Sequence, residues 1–191
     1  GAELRETFTA LWGRPLQGIL TYPANYDPSK SYPMIVYHYE ILSPRLHSYV
    51  IPDPERYYNQ QIWAQEGYFI LQPDVVYRDR RPGQSNVETL RPAVAAALEA
   101  APAIDGERLG LIGHSWAGYQ TTFFVTQDDL FAAAVAGAPL TNLMSMYLSF
   151  YWNSGGSDAR IFEISQGRMQ VPWWEDWDAY YANSPVHHIQ N

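Results

Sequence analysis

The chain has 191 residues, of which 12 are basic and 20 acidic, for a formal net charge of −8. That length suits one domain with a full apolar core, and a content of 47% hydrophobic and 17% charged residues excludes a disordered or fibrous polypeptide. The acidic balance argues against a nucleic-acid backbone as the main partner, no run approaches the ~20 apolar residues of a membrane span, and the lack of cysteine removes disulfides, thiolate metal sites and a thiol nucleophile.

The compartment is left open. The chain opens Gly1-Ala2-Glu3 with no initiator Met and no apolar signal core, which suggests a piece of a longer polypeptide. Two β-rich runs, residues 7–12 and 16–22, flank Gly13-Arg14-Pro15 and predict an antiparallel hairpin. A loop at 23–28 leads to Met34-Ile35-Val36-Tyr37-His38-Tyr39, a nearly unbroken apolar strand of the kind buried on both faces.

Residues 56–65 read as a helix closed by Gly67, and Tyr68-Phe69-Ile70-Leu71 as the next buried strand, ending at Pro73-Asp74. Ser85 and Glu88 have the spacing of a capping box for a helix running to about Ala100, with Pro92 either kinking it or marking its first turn. Asp105-Gly106 predicts a turn, followed by a strand over 108–112, a helix over 119–126 and a strand over 132–136. Alternation of this kind predicts an α/β fold: a mostly parallel sheet with helices on both faces and an N-terminal antiparallel hairpin. After Pro139 the pattern changes. Residues 141–152 have helical period, Ser154-Gly155-Gly156-Ser157 breaks it, and Pro172-Trp173-Trp174-Glu175-Asp176-Trp177 is dense in tryptophan. Residues 140–182 therefore read as an aromatic-rich insertion over the carboxyl edge of the sheet, packing against the body or lining a substrate groove.

The strongest chemical signal is Gly113-His114-Ser115-Trp116-Ala117-Gly118, directly after a predicted strand and before a helix. A serine on a sharp strand-to-helix turn needs small neighbours. The turn lifts its hydroxyl above the sheet edge, where the amides of the next helix point at developing negative charge. The usual elbow is G-x-S-x-G. Here the fifth position is Ala117, with Gly118 after it.

These residues resemble the catalytic α/β-hydrolase domain of the prolyl oligopeptidase family of serine peptidases, which includes dipeptidyl and acylaminoacyl peptidases. The likeness runs through Leu16-Gln17-Gly18-Ile19-Leu20, Tyr32-Pro33-Met34-Ile35-Val36-Tyr37, Gly67-Tyr68-Phe69-Ile70 and the elbow with Tyr119. It continues through Phe131-Ala132-Ala133-Ala134-Val135-Ala136-Gly137-Ala138-Pro139 and Asn183-Ser184-Pro185. The resemblance implies a peptide substrate, an acyl-enzyme on Ser115, and an oxyanion hole formed by the Tyr39 hydroxyl and the Trp116 N–H. Tyr39 as a buried core tyrosine is the alternative. Where the family often has Gly-Gly or Ala-Gly after that tyrosine, this chain has Glu40-Ile41. The resemblance also implies that the aspartate and histidine of the triad lie beyond Asn191, that the fragment alone is inactive, and that an N-terminal β-propeller can accompany the domain.

Other candidates are weaker. His187 and His188 follow Asp176 and Asp178 in the order of a triad, but no strand-helix unit separates them from the insertion. His114 should point away from the nucleophile, His38 reads as a core or rim residue, and His47 lies in a polar loop. Adjacent His187-His188 lack the spacing of about four that two metal ligands on one helix face require, so no metal site is expected. Arg78-Asp79-Arg80-Arg81 could hold a peptide carboxylate or form a solvated loop, and no phosphate-binding loop or other cofactor motif is present. A carboxylesterase of the same fold and a non-catalytic hydrolase-like binding domain remain as alternative readings.

Overall fold

Strand β1 (Glu3–Thr9) and strand β2 (Pro15–Thr21) form the predicted hairpin in a computed structural model that describes residues 3–56 and 58–191. The opening Gly1-Ala2 and residue 57 lie outside the described residues. The turn closes through Ala10 N–H to Arg14 O (2.9 Å) and Gly13 N–H to Ala10 O (2.8 Å), with Gly13 at φ 86°, a conformation that glycine adopts without a Cβ clash. The remaining strands are β3 (Tyr32–Tyr37), β4 (Phe69–Pro73), β5 (Ile104–His114) and β6 (Ala133–Gly137). The sheet order is β1-β2-β4-β3-β5-β6. β2 meets β4 antiparallel, and β4, β3, β5 and β6 run parallel, so their carboxyl ends share one edge.

Period-2 alternation divides the apolar strands between two cores. Met34, Val36, Phe69, Leu71, Leu109 and Leu111 face one side, where they meet Leu90, Val94 and Ala97 of helix α2 (Pro82–Ala100) and Phe124 of helix α3 (Trp116–Val125). Ile35, Ile70 and Ile112 face the other side, where Ala64 of helix α1 (Gln60–Gln65) covers them. Each such side chain removed from water contributes about 1.5–3 kcal/mol before entropy is counted. The sheet is therefore α/β with helices on both faces, as its sequence alternation predicts.

Several local expectations change. The helix expected over 56–65 is limited to α1, because Asn59 accepts from the Gln61 and Ile62 amides and fixes its start. The capping box is not formed. α2 begins three residues before Ser85, with Pro82 in its first turn, and Ser85 Oγ instead accepts from Arg78 N–H (3.0 Å). Its cap comes from far along the chain: Asn183 Oδ1 accepts from Gly83 N–H (2.9 Å). Pro92 lies inside this helix. Its missing N–H frees the Glu88 carbonyl, and Leu11 N–H from the hairpin turn takes that acceptor at 3.1 Å.

The Asp105-Gly106 turn is an irregularity within β5. Ile104 pairs with Tyr32 and Leu109 with Met34, while Asp105 Oδ1 accepts from Glu107 N–H. The helix expected over 141–152 shrinks to α4 (Leu143–Met146), after which Tyr151 and Gly156 form an isolated bridge. Two further short helices follow, α5 (Arg160–Glu163) and α6 (Trp177–Ala182). Tyr147, Phe162, Met169 and Tyr180 from this region are wholly or almost wholly buried against Trp116, Tyr119 and Phe123 of α3. Packing thus accounts for those aromatics, whereas Trp152 is 93% exposed. No described helix is long and apolar enough to cross a membrane.

Candidate active site

Ser115 is the single residue between the end of β5 and the first residue of α3. Its backbone, at φ 58° and ψ −118°, is a conformation that costs a non-glycine residue about 1–3 kcal/mol and persists only where surrounding contacts fix it. Those contacts are Ser115 N–H to Gly137 O (2.8 Å), at the end of β6, and Tyr119 N–H to Ser115 O (3.0 Å). Ser115 itself is half-buried, with fully buried residues on its helical side.

Glycine is needed at both ends of the turn. A Cβ on Gly113 would stand 2.2 Å from Ala117 O, and one on Gly118 would stand 2.4 Å from Gly137 O. The close approach between α3 and the end of β6 is therefore made at Gly118. Ala117 keeps its methyl, fully buried, one residue earlier. Trp116 opens α3, so its N–H belongs to the first turn, whose amides have no intrahelical acceptor.

Tyr39 lies two residues beyond β3, the parallel neighbour of β5. Tyr37 pairs with Ile112, which places Tyr39 and Ser115 at the same sheet edge on adjacent strands, and the Tyr39 ring packs against the cluster that contains Trp116. Around Tyr39 is a polar set that sequence reasoning missed. Gln166 Nε2 donates to the Tyr39 hydroxyl (2.9 Å), and Tyr77 Oη donates to the Tyr39 carbonyl (2.9 Å). Gln120 of α3 donates in turn to the Tyr77 hydroxyl. Burial, the largest influence on the Tyr77 phenol, raises its pKa far above the usual tyrosine range and keeps it a donor. The Arg168 guanidinium sits 4.7 Å from the Tyr77 ring centroid and pairs with Glu40 at 3.2 Å. No local motif marks Gln166 or Arg168, because long-range packing brings them to the site.

The five histidines are dispersed. His38 is fully buried. Its Nε2 lies 3.0 Å from Thr121 Oγ1, and Asn86 Nδ2 lies 3.4 Å from its Nδ1. Both contacts are satisfied when Asn86 donates to Nδ1 and Nε2–H donates to Thr121. Desolvation by burial pushes its pKa down to about 3, so the ring is neutral near pH 7. His47 and His114 are exposed. His187 stacks on Tyr181 with centroids 4.0 Å apart, and His188 Nε2 lies 3.0 Å from Ala182 O.

Arg78 and Arg80 are occupied by ion pairs, Arg78 with Glu88 and Arg80 with Asp176. Arg78 also lies over the Trp12 ring. The run forms a loop with Asp79, Arg80 and Arg81 exposed, as the solvated-loop reading expects, and its ion pairs tie it to α2 and to the N-terminus of α6. Among the described residues, no group of three or more His, Cys, Asp or Glu is placed to hold a metal ion.

A mostly parallel sheet with a strained serine at a strand-to-helix turn is the arrangement of the α/β-hydrolase class. The profile of the prolyl oligopeptidase family matches residues 54–191, and the chain belongs to that family. It is 27% identical over 197 residues to the "Uncharacterized peptidase YuxL" of Bacillus subtilis, covering 94% of this chain and 27% of that protein. It is 24% identical over 190 residues to Dipeptidyl-peptidase 5 of Porphyromonas gingivalis, covering 88% of this chain and 25% of that one. The chain therefore spans about a quarter of the length of these curated relatives. Among solved structures, the acylaminoacyl peptidase of Pyrococcus horikoshii superposes with a TM-score of 0.77 at 20% identity, covering all of this chain and 30% of that one. Porphyromonas gingivalis dipeptidyl peptidase 4 gives a TM-score of 0.70 at 17% identity, covering 97% and 25%. At such identities the superpositions show a common fold.

Proposed function

We propose that this chain is the nucleophile-bearing part of a serine peptidase catalytic domain, with residues 140–182 as an aromatic insertion over its carboxyl edge. The observation that carries the reading is Ser115, held at positive φ between a core strand and a helix N-terminus in a chain of a peptidase family. Ser115 Oγ attacks the peptide carbonyl as a base removes its proton. The Tyr39 hydroxyl and the Trp116 N–H donate to the resulting oxyanion. Collapse of the tetrahedral intermediate expels the amine, which takes its proton from the base, and water then releases the acyl group from Ser115.

The acid and base come from polypeptide outside these 191 residues. The contacts of His38, His187 and His188 support this, since these rings meet Thr121, Tyr181 and the Ala182 carbonyl. The outer edge of β6 supports it as well. Ala133, Ala134 and Val135 are exposed there, and a largely apolar groove of about 440 Å³, lined by Ile35, Trp63, Ile112 and Val135 with Arg108, leaves the adjoining sheet face uncovered. An open, uncharged edge of this kind suits a further strand.

In the full-length polypeptide, Ser115→Ala should lower kcat/KM for an aminoacyl or peptidyl amide by at least about 10⁴-fold. Undiminished hydrolysis would remove Ser115 from the mechanism. A large preference for short-chain esters over the amide would favour a carboxylesterase.

A further inference from the structure

A phenol hydroxyl lies near its ring plane, so its hydrogen has two favourable directions. At Tyr39 the oxygen already accepts one hydrogen bond, from Gln166 Nε2 at 2.9 Å. An amide NH₂ accepts no hydrogen bond, so the hydroxyl hydrogen cannot be spent on Gln166 Nε2 and is left for another acceptor. Donation to the oxygen also polarises the O–H bond, which strengthens it as a donor.

The segment that carries Gln166 is fixed by more than one device. Gly167, Met169 and Gln170 donate their amides to Ile161, Phe162 and Glu163 carbonyls at 2.8–2.9 Å. Met169 is fully buried, and a Cβ on Gly167 would meet Phe162 O at 2.3 Å. Arg168 and Gln170 both stand at positive φ, 51° and 67°, so two non-glycine residues within three are held in the left-handed region. Arg168 then bonds the Gln166 carbonyl (2.9 Å) and the Glu40 carboxylate (3.2 Å), linking both sides of Tyr39.

We propose that Gln166 is a positioning residue that commits the Tyr39 hydroxyl to the oxyanion, with residues 166–170 as the clamp that holds it there. The inference rests on the reading that Tyr39 is an oxyanion donor, and the test separates the two. Steady-state kinetics on a peptidyl amide would compare the full-length polypeptide with Gln166→Leu, Gln166→Glu, Tyr39→Phe and the Tyr39→Phe/Gln166→Leu double variant. Tyr39→Phe is expected to lower kcat about 100-fold. Gln166→Leu should lower kcat about tenfold with KM within twofold, and should have no further effect once Tyr39 has become phenylalanine.

Gln166→Glu preserves the side-chain shape but replaces the donor with an acceptor that captures the Tyr39 hydrogen. Its kcat should be lower still near neutral pH, and its ratio to the parent should recover as the new carboxyl protonates. This variant carries the test if the leucine variant does not fold. Equal losses from Gln166→Leu in the two backgrounds, or no loss in the parent, would overturn the role of Gln166 while leaving Tyr39 in place. An unchanged kcat in Tyr39→Phe would overturn the oxyanion reading, and this inference with it.

Discussion

The sheet with α2 and α3 and the region from 140 onward are both built around buried side chains, yet they hold their shape by different means. In the first, strand ladders and two helices of 19 and 10 residues set the position of most core residues. In the second, the α-helices have four, four and six residues, too short to be stable without tertiary contacts. Their place is set by Phe162, Met169 and Tyr180 and by residues held at positive φ. Ser115, the proposed nucleophile, stands on the regular part, whereas the groups around Tyr39 come from both: Gln166 and Arg168 from the irregular region, Tyr77 and Gln120 from the regular one. Position along the chain is thus a poor guide to which residues share the site.

The contrast is tested most severely at the elbow. In Gly113→Ala the new methyl meets backbone atoms of α3, which cannot move aside as a flexible side chain could. A loss of about 4 kcal/mol is expected, read from the urea midpoint at unchanged slope. A loss below about 1 kcal/mol would show that the turn is less tightly fixed than the strand ladder implies.

Acid probes the regular part from within. His38 has a pKa of about 3 when folded, below the usual value of about 6.5. The unfolded chain therefore binds this proton first. The stabilisation is complete above about pH 6.5 and is lost progressively as pH falls toward 3. Between pH 7 and pH 4 the parent should lose about 3 kcal/mol more than His38→Gln, measured by denaturant unfolding at each pH. Parallel pH profiles for the two proteins would show that His38 is not held neutral.

Asn183 is the seam between the two regions. It accepts from Gly83 N–H at the start of α2 and donates to the Arg80 and Ala179 carbonyls, while its own carbonyl accepts from the Tyr119 hydroxyl. Asn183→Ala should cost about 2 kcal/mol and raise amide hydrogen exchange first in the opening turn of α2 and in α6. An exchange increase confined to α6 would mean that the regular part does not depend on this seam. The smallest expected effect is at Ala117→Gly. It removes one buried methyl from the first turn of α3 and should cost about 1 kcal/mol.

The regular part was legible in the sequence for a physical reason. Buried parallel strands such as Met34-Ile35-Val36 leave an unbroken apolar run, and a strand-to-helix elbow demands small residues around Ser115. The start of α2 was not legible, because its cap is Asn183, 100 residues away, and the local Ser85/Glu88 spacing mimics a box that does not form. Residues 141–152 have helical period, but the chain leaves the helix at Met146 and turns into the Tyr151–Gly156 bridge. The elbow pattern and the resemblance point to Ser115, Trp116 and Tyr39 as the candidate site. Gln166, Tyr77 and Arg168 carry no motif, since only the folded chain brings them beside Tyr39.

The central claim is that Ser115 is the nucleophile and that its base lies outside these residues. Labelling with a fluorophosphonate, compared between the full-length polypeptide and residues 1–191 alone, tests it most directly. The expected result is rapid, stoichiometric modification of Ser115 in the full-length protein, lost in Ser115→Ala, and labelling of the shorter chain slower by at least about 10³-fold. Equally rapid labelling of the 191-residue chain would show that it contains its own base, and modification of a different serine would contradict the assignment of the nucleophile.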